Sequence, residues 1–145
     1  MKKKIANAVL VLIVLCFNVI HSAVIIVPDD YSEIQDAINA SQYGDTVLVK
    51  EGLYTITSDP VTEDIEYAIL LREGINLMGQ GPDKTIIEIS HAFNPSPWTM
   101  GGIKTEGNNR IDGLALQSDG TTIMMNEANN SLILNDCEII GHRVY

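Results

Sequence analysis

Two groups of residues in this chain of 145 have types and spacings that chemistry could use. The first is aromatic. His91-Ala92-Phe93-Asn94-Pro95-Ser96-Pro97-Trp98 carries the only tryptophan, one of the 2 phenylalanines and a pair of prolines. Proline locks φ and stiffens such a loop. Aromatic faces on a stiff loop form a stacking platform for sugar rings, whose C–H faces are apolar. Phe93 and Trp98 are therefore the candidate carbohydrate-binding residues, against the plainer alternative that they fold back over the outside of the domain. The second group is ionisable. Asp112, Asp136 and Glu138 are the candidate acids, and Lys104, Arg110 and Arg143 the basic groups near them. Paired carboxylates, or an acid beside a base, are what sugar-bond cleavage by proton transfer needs. Isolated acids on strands are usually solvated outer-face groups, however, and no catalytic set can be named from these.

Other chemistries find less support. Asp59, Glu63, Asp64 and Glu66 lie within the segment 55–66, which reads as a loop or irregular excursion because of Pro60 and its charge density. Clustered carboxylates are hard-cation ligands, but the D-x-[DN]-x-[DN]-G pattern of a dedicated calcium loop is missing. No metal site and no cofactor is expected, and calcium lacks a motif to hold it. Gly79-Gln80-Gly81 lacks the third glycine and the following helix of a dinucleotide loop. The chain has 2 cysteines, Cys16 and Cys137, and the first lies in an apolar leader. A disulfide framework is thereby excluded, and Cys137 reads as a small hydrophobe in a buried strand pattern.

The leader comprises residues 1–23. Lys2-Lys3-Lys4 precedes an apolar stretch from Ile5 to Ile20 interrupted only by Asn7 and Asn18, and His21-Ser22-Ala23 supplies small residues for cleavage. This is the pattern of a secretory signal peptide. The apolar run falls short of the roughly 18 residues that suggest a membrane span. The expected location is therefore outside the cell or on its surface, with the periplasm as a variant. The leader takes three of the 9 basic residues and no acid, so about −13 of charge remains on residues 24–145. That argues against nucleic acid and, once the leader is removed, against anionic membrane as partners. It is compatible with an exported protein and with cations bridging it to acidic polymers, and the aromatic loop makes a polysaccharide the expected partner.

The elements that must position these residues begin at Ser32. Ser32 and Gln35 have capping-box spacing, and Ile34, Ala37, Ile38 and Ser41 share one helical face. Gly44-Asp45 breaks that helix, and Thr46-Val47-Leu48-Val49 reads as a strand buried on both faces. Val24-Ile25-Ile26-Val27 is a strand closed by Pro28-Asp29-Asp30. Further strands are expected at 67–71, 75–79 and 85–89, with glycine, asparagine and proline between them. A repeat runs through the chain. Leu77-Met78-Gly79, Ile111-Asp112-Gly113 and Leu134-Asn135-Asp136 align at offsets of 34 and 23. An insertion of about ten residues at 91–100 accounts for the difference and leaves a unit of roughly two dozen, the period of a solenoid. In this alignment Asp112 falls opposite Asn135 and not Asp136. Asn108-Asn109 and Asn129-Asn130 precede successive repeats and suit tight corners.

IQDAINASQYGDTVLVKEGLY, followed by GINLMGQGPDKTIIEI, resembles the N-terminal cap and first coils of right-handed parallel β-helix proteins of the pectate-lyase-like superfamily. The similarity spans residues 24–142. It implies an all-β fold, a right-handed parallel β-helix with a short N-terminal capping α-helix and about four coils in residues 24–145. It also implies a chain truncated at its C-terminus, because no closing cap follows Tyr145. Relatives of this kind include pectate lyases, which use calcium and a basic residue, and pectin esterases and polygalacturonases, which use paired aspartates. The glutamine- and aspartate-bearing motifs of the esterases are not found here. The expectation is an exported module with a structural or carbohydrate-binding role, or else the opening portion of a polysaccharide-degrading enzyme whose active site lies in further coils.

Overall fold

The computed structural model describes residues 22–58, 67–91, 101–118, 121–125, 131–141 and 143–144. The β-branched run at the start forms β1 (Val24–Val27). It ends in a turn held by the Asp30 amide donating to the Ile26 carbonyl (2.7 Å) and the Ile26 amide donating to Asp30 Oδ2 (2.7 Å). Helix α1 (Ile34–Ala40) follows, with Ile34, Ala37 and Ile38 buried on the expected face. The expected capping box does not form. The helix starts after Glu33, whose side chain makes no cap bond, so Ser32 lies outside it and Gln35 sits one position too early. The end of the helix is pinned instead: Ser41 Oγ donates to the Ala37 carbonyl (2.7 Å) and Arg72 donates to the Ser41 carbonyl.

The remaining strands are β2 (Thr46–Val49), β3 (Gly52–Ser58), β4 (Tyr67–Leu71), β5 (Asn76–Met78), β6 (Thr85–His91), β7 (Gly101–Thr105), β8 (Asn109–Asp112), β9 (Ala115–Ser118), β10 (Thr121–Met125), β11 (Leu132–Asn135), β12 (Glu138–Ile140) and β13 (Arg143–Val144). They form three parallel sheets: β1-β2-β5-β8-β11, then β3-β6-β9-β12, then β4-β7-β10-β13. From β2 onward the chain visits the first, second and third sheets in unvarying order. Among the described residues the fold is all-β and parallel, with one short helix.

Register explains why this works. Val47, Leu77, Ile111 and Leu134 are successive partners in the first sheet. Tyr54, Ile87, Leu116 and Ile139 are partners in the second, and Ile69, Ile103 and Ile123 in the third. Apolar side chains thus stand on apolar side chains, and the buried ones from all three sheets join the helix face in one core cluster. The aligned repeat is the register itself: Leu77 pairs with Ile111, Ile111 with Leu134, and Asp112 with Asn135. Helix α1 lies against β1, β2 and β4, covering one end of that core. Toward the other end Leu134 is 40% exposed, while its partner Ile111 is fully buried.

Three expectations are corrected. Strand β2 is buried on one face only, because Thr46 and Leu48 alternate with the buried Val47 and Val49 and stay half-covered. Residues 55–58 are not loop: Thr55, Thr57 and Ser58 continue β3 in full register with Glu88, Ser90 and His91. The period-2 alternation of Leu53 and Thr55 against Tyr54 and Ile56 outweighs the proline that follows. Cys137 is half-buried between β11 and β12, its thiol donating to the carbonyls of Asn135 (3.1 Å) and Ile111 (3.4 Å).

Candidate functional site

Strands of the second sheet present two faces. Tyr54, Ile56, Ile87, Ile89 and Leu116 point into or against the core, which turns Leu53, Thr55, Thr57, Glu88, Ser90 and Gln117 outward. Apart from Leu53 and its register partner Ile86, the outward set is a polar patch, with Thr57 Oγ1 3.5 Å from Ser90 Oγ. Leu53 sits at its border and is 64% exposed. Hydroxyl, carboxylate and amide groups repeated at the strand spacing can meet a row of ligand hydroxyls.

The two long connections of the chain leave from one edge of this patch. Between Asn109 and its partner Leu132 the chain advances 23 residues, but between Thr46 and its partner Asn76 it advances 30. The additional length is taken up in segments 59–66 and 92–100, each joining a strand of the second sheet to one of the third. They begin at Ser58 and His91, which are register partners, and end at Tyr67 and Gly101, which are partners too. The acidic segment and the aromatic segment are therefore anchored side by side at both ends. Phe93 and Trp98 lie in the second of them, outside the described residues, as do Asp59, Glu63, Asp64 and Glu66. At the shared anchor, Lys104 Nζ lies 5.2 Å from the centroid of the Tyr67 ring, a cation–π contact that holds an amine beside an aromatic face.

The ionisable candidates are dispersed. Asp112 lies on the outer face of the first sheet, where Arg110 Nε donates to its Oδ2 (3.0 Å) and Asn135 Nδ2 to its Oδ1 (2.9 Å). The Arg110 guanidinium, and then the Asn135 amide, hold the Asp112 carboxyl below its ordinary value. With both oxygens engaged, Asp112 is an ionised structural partner of Arg110 and is poorly suited to donate a proton. Asp136 stands exposed at the next corner with φ 47°, and Glu138 is exposed on β12 of the second sheet. Lys104 belongs to the third sheet. The backbone of Arg143 lies in β13, and its side chain falls outside the described residues. The structure pairs Asp112 with Arg110 on one oxygen and with Asn135 on the other. Among the described residues no three of His, Cys, Asp and Glu are grouped as metal ligands would be.

Asparagine acts where it was expected to, at corners. Asn109 is 2% exposed; its Nδ2 donates to the carbonyls of Arg72 (2.7 Å) and Ile75 (2.8 Å), and its Oδ1 accepts from the Gly107 amide (2.9 Å). Asn108, at φ 53°, donates to Glu73 Oε1 (3.0 Å) and accepts from Ser131 Oγ (3.1 Å), linking three successive corners. Asn129 and Asn130 lie outside the described residues. The outward patch of the second sheet was not singled out from sequence, although the alternation that creates it is visible in Leu53 to Thr57.

No protein-family model matches the chain, and neither a curated protein nor a solved structure does.

Proposed function

We propose that this chain is a capped, right-handed parallel β-helix module of an exported protein, with a structural or carbohydrate-binding role. The cyclic order of the strands supports the helix, because three in-register parallel sheets visited in constant sequence are what a chain winding with three strands per turn produces. Right-handed winding is the hand that parallel crossovers adopt almost without exception. Helix α1 is then the lid on the first turn. The leader at residues 1–23 supports export.

The observation that carries the binding role is the common anchoring of the two long segments beside the polar patch. Phe93 and Trp98 stack against sugar faces, while Thr55, Thr57, Glu88 and Ser90 meet hydroxyls. An acidic chain favours a neutral polysaccharide over a polyanionic one. Retention on immobilised neutral and acidic polysaccharides tests this, with Trp98→Ala and Thr57→Ala as variants. Both should elute several-fold earlier from the neutral matrix than the parent chain. Unchanged retention of Trp98→Ala, or no retention of the parent on any matrix, removes the binding role and leaves the structural one.

A further inference from the structure

Ser22 and Ala23 lie within the leader as the sequence delimits it, yet the backbone of Ala23 is built into the fold. Its amide donates to Asp45 Oδ1 (2.8 Å), and its carbonyl accepts from the Thr46 amide (2.9 Å), supplying the first bond of the parallel pairing of β1 with β2. Asp45 is the receptor for this amide. The residue is 5% exposed, and its Oδ2 accepts from the Gln42 amide (2.7 Å). Ser22 adds only an exposed hydroxyl contact to the Gly44 carbonyl. A cut after Ala23 would delete both Ala23 bonds, leaving one oxygen of a buried carboxylate and one strand amide without partners, an arrangement that folded proteins avoid. A cut one bond earlier keeps both and turns the amide donor into an ammonium.

The leader sequence accommodates either cut. Cleavage sites favour small residues at the first and third positions before the cut. A cut after Ala23 has Ala23 next to the bond and His21 at the third position, and a cut after Ser22 has Ser22 and Ile20 there, so the backbone bonds of Ala23 make the choice.

We propose that the leader is removed between Ser22 and Ala23, and that the α-ammonium so created docks on the Asp45 carboxylate as the mature N-terminus. Water is the co-reactant, delivered by a leader peptidase of the export machinery: its oxygen joins the Ser22 carbonyl carbon, the C–N bond breaks, and the Ala23 nitrogen takes up the protons. The N–H···O bond then becomes charge-assisted, the stronger form of the contact already present. This rests on the export reading and refines it.

The chain carrying its own leader is expressed in an exporting host, recovered from outside the inner membrane, and its intact mass and N-terminal sequence are determined. The expected N-terminus is Ala-Val-Ile-Ile-Val. An exported chain starting at Ser22 or Val24 overturns the proposal and leaves export standing; an uncut chain retained in the cell overturns export as well. Docking is read separately by labelling the α-amine at neutral pH. The folded protein should react several-fold more slowly than the same protein in denaturant, and Asp45→Asn should remove most of that protection. Equal rates for folded and denatured wild type overturn the ion pair without needing the variant.

Discussion

Gln35 presents its side-chain amide to the backbone of Leu70 as a neighbouring strand would. Its Oε1 accepts from the Leu70 amide (2.8 Å) and its Nε2 donates to the Leu70 carbonyl (3.3 Å). Leu70 belongs to β4, the edge strand of the third sheet on the side of helix α1. Open edges recruit other chains, and this contact occupies both polar groups of one edge residue while the helix covers the core. Gln35→Ala should cost about 1–2 kcal/mol, the range for exposing paired groups of this kind. Gln35→Glu keeps the bond to the amide but sets a carboxylate oxygen against the Leu70 carbonyl, so it should remain below wild type. Urea midpoints measure both, and an unchanged midpoint for Gln35→Ala refutes the contact.

Asn109 satisfies two carbonyls and one amide from the interior of a corner. Asn109→Ala leaves all three groups unpaired in a buried place and should lose about 3 kcal/mol. Asn109→Asp should be no milder, because a carboxylate would face the Arg72 and Ile75 carbonyls with nothing to donate. A thermal melt of each variant decides the matter; an Asp variant as stable as wild type would show that the amide donors are dispensable.

Gly79 and Gly44 are required for different reasons. A Cβ at Gly79 would stand 2.3 Å from the Gly113 carbonyl oxygen and within 2.9 Å of Leu114 and Thr85 side chains, so backbone would have to move. Gly44 has open space around it but φ +93°, which L-residues adopt at a cost. Gly79→Ala should lose about 3 kcal/mol through overpacking, and Gly44→Ala about 1–2 kcal/mol through strain. Denaturant unfolding that ranked Gly44→Ala as the worse of the two would contradict this assignment.

Acid should weaken the fold through Asp45 and Asp112. The Ala23 and then the Gln42 amides hold the Asp45 carboxyl below its ordinary 3.8, and Arg110 with Asn135 do so for Asp112. Both groups therefore bind fewer protons folded than unfolded. Their stabilisation is present above about 3.8 and is lost as pH falls through the lower folded values. Melting temperature plotted against pH should fall below that point, and less steeply for the doubly substituted Asp45→Asn, Asp112→Asn chain. A parallel pH profile for that variant would rule the two carboxylates out.

Much of the architecture was legible because parallel pairing stacks like on like. The offset between Leu77, Ile111 and Leu134 is the register of the first sheet, and the placing of Asp112 opposite Asn135 became a hydrogen bond. The face of α1 carrying Ile34, Ala37 and Ile38 followed from helical period alone. The failures have a common cause. Ser32 and Gln35 have the spacing of a local cap, but Gln35 gains two bonds to a strand 35 residues away. Thr55 and Thr57 sit beside charged, proline-containing sequence, but β6 supplies a partner for every residue of β3.

Sequence by itself determined at what interval apolar side chains return and which face of α1 turns inward, since those depend on apolar pattern along the chain, whereas the one-sided burial of β2 came from assembly. Tertiary structure alone decided where polar groups go: Gln35 to an edge strand, Asn109 into a corner, Asn108 to Glu73, Asp45 to the backbone of Ala23. The physical reason is that burial is non-directional and can be read from residue type, whereas a hydrogen bond needs a partner at a given distance and angle. Those partners are supplied by residues brought close only when the sheets assemble. The same holds for the acidic and aromatic segments, which lie 33 residues apart along the chain from start to start until Ser58 and His91 pair.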